Sequence, residues 1–250
     1  MMTVMTYNVG NGLAATPTLV RYLRTAAADL VGLQEVAAEQ AAAIVEQLAD
    51  VYPFRVLVGT GIPGKGVLSR FPLRDVRQLS LAPDRPDLCV EADVDGLCLT
   101  VLVAHPPPPR LRNLSRRPAQ EAIGQLAQLA EIAVAHAPAV LMGDFNMVAR
   151  SAGHALLSAA GLRDAFQLSG TGRGFTLPAR LGYSERLNRA LGWPLLPFLR
   201  VDYIWLTQQL EATDSWTERG AESDHRPVLA RLQLAAQVTS QPGANGRLAP

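Results

Sequence analysis

Oxygen and imidazole side chains that could bind a cation or move a proton collect at the ends of apolar runs in this 250-residue chain. Asn8 follows Val4-Met5-Thr6-Tyr7, Glu35 follows Leu30-Val31-Gly32-Leu33-Gln34, and His105 follows the apolar run that ends at Ala104. Asp144 and Asn146 come after Val140-Leu141-Met142-Gly143, Asp202 heads a further run, and Asp224-His225 immediately precede Arg226-Pro227-Val228-Leu229. Taken singly, a carboxylate after a strand is a turn residue or a helix cap more often than a ligand. Together these ends describe a site, because open α/β sheets present their chemistry at one edge. Oxygen donors without thiolates suit a hard divalent cation, Mg²⁺ or Mn²⁺. Amide carbonyls fill such a shell without neutralising the ion, and one or two carboxylates are enough when substrate phosphate completes it. The histidines would add a base near neutral pH and a donor to a developing oxyanion.

The elements that must position these residues follow from periodicity. Strands are expected at Met2–Tyr7, Leu30–Gln34, Phe54–Val58, Gly66–Ser69, Val76–Leu81, Leu88–Val94, Leu97–Ala104, Ala139–Met142, Val201–Leu206 and Val228–Leu234. Helices are expected at Pro17–Ala28, Ala37–Leu48, Pro118 to about Ala135, and His154–Ala160. Hairpins and strand–helix–strand units occur in both halves, which suggests one α/β domain over residues 1–235 with two packed sheets and helices outside. Residues 236–250 read as a loose tail, and Gly170–Arg200 as the least regular stretch, a candidate lid.

The blocks Thr6-Tyr7-Asn8, Leu33-Gln34-Glu35-Val36, Gly143-Asp144-Phe145-Asn146, Arg200-Val201-Asp202-Tyr203-Ile204 and Ser223-Asp224-His225-Arg226-Pro227-Val228 occur in this order. The ordered set resembles the signature of the endonuclease/exonuclease/phosphatase superfamily, whose members include deoxyribonuclease I, exonuclease III, neutral sphingomyelinases and inositol polyphosphate 5-phosphatases. The resemblance implies a four-layer α/β sandwich, two central mixed β-sheets flanked by helices. It also implies roles. Glu35 would be the principal metal carboxylate, assisted by Asn8 and by Asp224. His225, oriented by Asp202, would act on the attacking water or on phosphorane-like charge, with Asp144 the alternative base. Asn146 would donate to a phosphate oxygen, and His105 matches a second histidine of the nuclease branch. The reaction implied is in-line attack of water on a phosphorus ester, with DNA or RNA the first substrate class. A lipid (sphingomyelinase-like) or small-molecule phosphoester is the alternative, and a catalytically inactive binding module a further one.

Composition narrows the partners. Hydrophobic residues make up 48% of the chain, too many for a disordered one, and 23 basic against 22 acidic side chains give a net charge of +1. That balance excludes a broad electrostatic footprint on a polyanion and leaves any grip to a local patch. Arg110, Arg112, Arg116 and Arg117, after four consecutive prolines, are the candidate patch. The first charged residue is Arg21, so the opening lacks the positive region of a signal peptide, and Asn8, Gly10, Asn11, Gly12 and Pro17 interrupt it. A cytoplasmic monomer is the expectation. A two-residue hairpin at Asp95-Gly96 would set Cys98 opposite Asp93 and Cys89 opposite Leu102, beyond disulfide reach, as two reduced core thiols.

Overall fold

The computed structural model describes residues 1–108, 117–180 and 197–236. Strand β1 (Met2–Asn8) leads through helix α1 (Thr16–Thr25), with Pro17 in its first turn, to β2 (Leu30–Gln34). The two strands run parallel, with Val4 opposite Leu30 and Asn8 opposite Gln34. After α2 (Ala38–Gln47) the chain forms β3 (Phe54–Val58), β4 (Lys65–Ser69), β5 (Leu73–Leu79), β6 (Asp87–Val94) and β7 (Leu97–Ala104). Helix α3 (Arg117–Ala135) crosses to β8 (Ala139–Asp144), parallel to β7. The chain continues through α4 (Ala152–Ala159), β9 (Arg163–Asp164), α5 (Ala165–Ser169), β10 (Asp202–Leu206), β11 (Leu210–Thr217) and β12 (Val228–Leu234).

Two six-stranded mixed sheets result, ordered β11-β12-β1-β2-β4-β3 and β5-β6-β7-β8-β10-β9. They share one plan: a central parallel pair joined by a helical crossover, with antiparallel strands on both sides. Alternation along each strand builds three apolar layers. Val4, Leu30, Val67, Val101, Val103, Val140, Met142 and Ile204 fill the space between the sheets. Met5, Leu33, Leu19, Leu23 and Ile44 pack α1 and α2 on one outer face, and Leu141, Trp205, Leu126, Leu129 and Leu157 pack α3 and α4 on the other. This is the expected four-layer α/β sandwich.

Most strands lie where periodicity put them, and the departures have local causes. Strand β5 spans Leu73–Leu79 rather than Val76–Leu81, since its pairing with β6 slips between Arg74 and Arg77 and its face is largely exposed. Strand β11 has no periodic signature, because a bulge between Ala212 and Asp214 breaks its alternation. The hairpin register is as expected, with Asp93 opposite Cys98 and Cys89 opposite Leu102. Cys89 is buried, but Cys98 is exposed and not a core thiol, because it lies on the outer end of β7 beside Glu91. The proposed tail beyond residue 236, residues 181–196 of the irregular stretch, and Arg110, Arg112 and Arg116 lie outside the described residues. Arg117 opens α3, and its side chain is outside them as well. Among the described residues no helix is long and apolar enough to cross a membrane.

One glycine controls how the central strands end. A Cβ on Gly143 would lie 1.9 Å from the Ala104 carbonyl oxygen of the neighbouring parallel strand. That contact is with backbone, which cannot swing away. Gly143→Ala should therefore cost about 1–3 kcal/mol, read as a lower midpoint in urea unfolding. An unchanged midpoint would mean that the two strands can part freely at this point.

Candidate active site

The shared plan of the sheets brings the polar strand ends together. Parallel strands β1, β2, β7 and β8 all end at one edge of the sandwich, and their antiparallel neighbours β10 and β12 begin there. Alternation then aims the terminal side chains. Val4 faces the inter-sheet core, so Thr6 and Asn8 face it too, and Met142 does the same for Asp144. Asp202 stands directly opposite Asp144 in the register of β10 on β8. Glu35 leaves the end of β2 in a left-handed backbone conformation, φ 55°, as does Asn146 at φ 50°.

Asp144 is the hub. Its Oδ2 accepts from Asn8 Nδ2 at 3.0 Å and lies 3.4 Å from His105 Nε2 and 3.7 Å from His225 Nε2. Its Oδ1 accepts the Asn146 backbone N–H at 2.9 Å, while the Asn146 amide donates to the Pro106 carbonyl at 3.0 Å. Glu35 Oε1 is 3.3 Å from Asn8 Nδ2 and 3.6 Å from His105 Nε2. The ligand atoms of Glu35, His105 and Asp144 lie within 4.8 Å of one another, close enough to hold a metal ion, and so do those of Asp144, Asp202 and His225.

Burial raises the Glu35 carboxyl above the ordinary range, with the Asn8 hydrogen bond opposing. Burial likewise raises Asp144, against the pull of His225 and with the push of Asp202. Two carboxyls drawn out of water lie close together, and His225 and Arg85 offset only part of their negative charge. A divalent cation would meet that demand, and the hard oxygen donors suit Mg²⁺ or Mn²⁺. The donor set therefore fits such an ion. His105 is held well below its usual value by burial and by the cations of Arg85 and Lys65, so its imidazole is neutral.

His225 belongs to a buried relay with Asp202. Its Nδ1 donates to Asp202 Oδ2 at 2.9 Å, which fixes the tautomer and turns Nε2 toward Asp144. Burial alone would pull this imidazole down, but Asp202 and Asp144 outweigh it and hold it up at about 10. The loop that carries it is braced from both sheets. Ser223 Oγ donates to the Asn8 carbonyl at 2.8 Å and accepts the His225 N–H at 3.2 Å, and Tyr7 Oη accepts the Ala221 N–H at 2.8 Å. Thr176 accepts the Arg226 N–H at its carbonyl and the Val201 N–H at its hydroxyl. Asp202→Asn removes one of the charges that hold the ring protonated, and its amide can turn an NH₂ to Nδ1 and so admit the wrong tautomer. Turnover should fall, and the pH limb set by His225 should move to lower pH. A pH–rate profile identical to that of the parent would exclude Asp202 as the orienting group.

Most of the residues expected from the sequence meet here: Asn8, Glu35, His105, Asp144, Asn146, Asp202 and His225. Asp224 stands at the margin, half-buried, its Oδ1 3.3 Å from Ser223 Oγ and outside both trios. Asn8 turns its amide NH₂ to the carboxylates, and its oxygen accepts the Gly10 N–H at 3.0 Å. Sequence reasoning missed Arg85. Its guanidinium lies 3.2 Å from His105 Nε2 and its charge acts on Glu35. It comes from the loop before β6, where only the general abundance of arginine marked it.

The sequence pattern of the Endonuclease/Exonuclease/phosphatase family matches residues 5–225. The chain belongs to this family. The match takes in every block from Asn8 to His225, and solved structures agree on the family fold. An endonuclease/exonuclease/phosphatase from Beutenbergia cavernae is 23% identical with a TM-score of 0.73, over 93% of this chain and 71% of that one. A humanized D. rerio TDP2 is 18% identical with a TM-score of 0.70, over 93% and 98%. Beta toxin of Staphylococcus aureus is 14% identical with a TM-score of 0.70, over 92% and 99%. No protein of curated function matches the sequence. The family signature thus stands on a sandwich whose strand ends converge on one carboxylate.

Proposed function

We propose that the protein is a divalent-metal-dependent phosphoesterase that hydrolyses a phosphodiester, nuclease-like, by in-line attack of water. The observation that carries this reading is the convergence on Asp144 Oδ2 of Asn8, His105 and His225, beside the Glu35 carboxylate. Glu35 would hold Mg²⁺ or Mn²⁺, joined by Asp224 from the margin and by Asn8 once its amide oxygen turns from the Gly10 N–H to the ion, which when bound would supply charge for a phosphoryl oxygen. The protein's own groups do the rest. Held protonated by its carboxylate neighbours, His225 is a donor to phosphate oxygens, and it becomes a base once that negative charge is neutralised. Asp144, raised by burial, is the carboxylate that can take the proton of the attacking water. Neutral His105 can donate a ring N–H hydrogen bond to the leaving oxygen, which takes its proton from solvent water, and Asn146 orients the phosphoryl group.

Arg85 supports a short, locally gripped substrate. It is a half-buried cation at the site, in contact with an imidazole, and among the described residues it has no carboxylate ion pair. Arg85→Gln should raise KM for a phosphodiester several-fold with a smaller change in kcat. Reversal of that split would place Arg85 in the chemistry rather than in binding. With a net charge of +1 such a grip suits a short stretch of DNA or RNA better than a long polyanion laid along a groove.

A lipid phosphodiester is the second reading, favoured by Phe198, which is 64% exposed three residues before Val201. Plasmid DNA, RNA, sphingomyelin vesicles, phosphoinositide and bis-p-nitrophenyl phosphate, each with and without EDTA, separate the readings. EDTA-sensitive cleavage of nucleic acid supports the first, and cleavage of lipid alone overturns it in favour of the second. If nothing is cleaved with Mg²⁺ or Mn²⁺, the enzymatic reading falls and a binding module remains.

A further inference from the structure

Of the 23 basic residues only Lys65 is a lysine, and it is buried, 2% exposed. Its Nζ donates to the Pro86 carbonyl at 2.6 Å and to Pro63 at 3.4 Å, and lies 3.9 Å from Asp87 Oδ1. Asp87 is fully buried. Its Oδ1 accepts the His105 backbone N–H at 3.3 Å, and its Oδ2 accepts from Gln125 Nε2 at 2.7 Å. Burial pulls the ammonium down and pushes the carboxyl up, so the pair is costly to keep charged. A buried ion pair is weak evidence for stability, and a well-packed apolar pair usually serves as well.

Its connections give another role. Lys65 is the register partner of Gln34, next to Glu35, in one sheet. Asp87 opens β6 in the other sheet and holds the end of β7 through the His105 amide. The Pro86 carbonyl that Lys65 grips directly follows Arg85, whose guanidinium rests on the His105 ring. The pair therefore ties the strand end bearing Glu35 to both residues of the facing wall. A compact ammonium can reach two carbonyls and a carboxylate in so tight a slot, whereas a planar guanidinium fork needs more room.

We propose that the buried Lys65–Asp87 pair is a positioning device, which sets the spacing of the Arg85–His105 wall from Glu35 across the two sheets. The proposal rests on the phosphoesterase reading above for its consequence in turnover. Lys65→Met/Asp87→Leu removes both charges and keeps the volume, avoiding the stranded charge of either single change. In the full chain, with bis-p-nitrophenyl phosphate and Mn²⁺, kcat should fall on the order of 10²-fold, as for a misplacement of about 1 Å. The urea midpoint should fall only modestly, because no charge is stranded although the His105 N–H, the Gln125 amide and the Pro86 carbonyl each lose a partner. Amide hydrogen exchange, which needs no turnover, should show lost protection at His105 and kept protection at Val101. Lys65→Met/Asp87→Asn leaves an oxygen for the His105 N–H but no tie to β4, so it should regain the His105 protection and little of the lost kcat. Parental kcat in the Met/Leu variant, loss of activity only in proportion to lost folded protein, or an unchanged His105 amide would each overturn the proposal. If the parent itself cleaves nothing, the phosphoesterase reading is what fails, and the His105 amide alone then decides for or against the pair.

Discussion

Replacing His225 by alanine is expected to lower turnover of a phosphodiester by about 10²–10⁴-fold, the range for a lost acid–base group. The imidazole joins the Asp202 carboxylate, at 2.9 Å, to the Asp144 hub, at 3.7 Å. Its loss removes both the proton it carries and the orientation that Asp202 gives it. The same substitution strands Asp202, a fully buried carboxylate whose Oδ1 already lacks a partner among the described residues. Some loss of stability is therefore expected as well. His225→Gln separates the two effects, because its amide can still donate to Asp202 while offering no titrating group. Turnover should stay low in the glutamine variant while the unfolding midpoint recovers. A glutamine variant with restored turnover would show that His225 serves packing alone.

Glu35→Gln keeps the shape of the side chain and removes its charge. At fixed Mg²⁺, turnover should fall by about 10²–10³-fold, the equivalent of several kcal/mol of metal-derived charge stabilisation. Part of the loss should return as Mg²⁺ or Mn²⁺ is raised, because Asp144 and the margin carboxylate Asp224 remain. Little structural cost is expected: the Glu35 side chain is 22% exposed, and burial already disfavours its charged form. A metal titration that superimposes on that of the parent would remove Glu35 from the metal site.

Much of this site was legible in the sequence because its residues sit where an apolar run stops. A run of buried residues in a parallel strand is easy to see, and the first polar residue after it falls at the active edge, as at Asn8, Glu35, His105 and Asp144. Spacing could also give the hairpin register, since Asp95-Gly96 fixes the turn and Cys89 and Cys98 follow from it. What stayed hidden depends on contacts between elements. Arg85 lies in the turn-like stretch Asp84-Arg85-Pro86-Asp87, and only the approach of β6 to β7 brings it onto His105. Lys65 was visible as a lone lysine, yet its burial against Asp87 needs the two sheets face to face. Strand β11 failed for a local reason, the bulge that puts its alternation out of step. The orientation of the Asn8 amide depends on the Gly10 N–H, which a residue type cannot disclose.

The central claim is metal-dependent hydrolysis of a phosphodiester at the Asp144 hub. Its most direct test is to strip the protein with EDTA and titrate Mg²⁺ or Mn²⁺ back while following bis-p-nitrophenyl phosphate, with His225→Gln in parallel. No turnover is expected in the stripped protein, with a saturable return on adding metal and no comparable return in the variant. Turnover that persists without metal, or that returns equally in the variant, would contradict the claim.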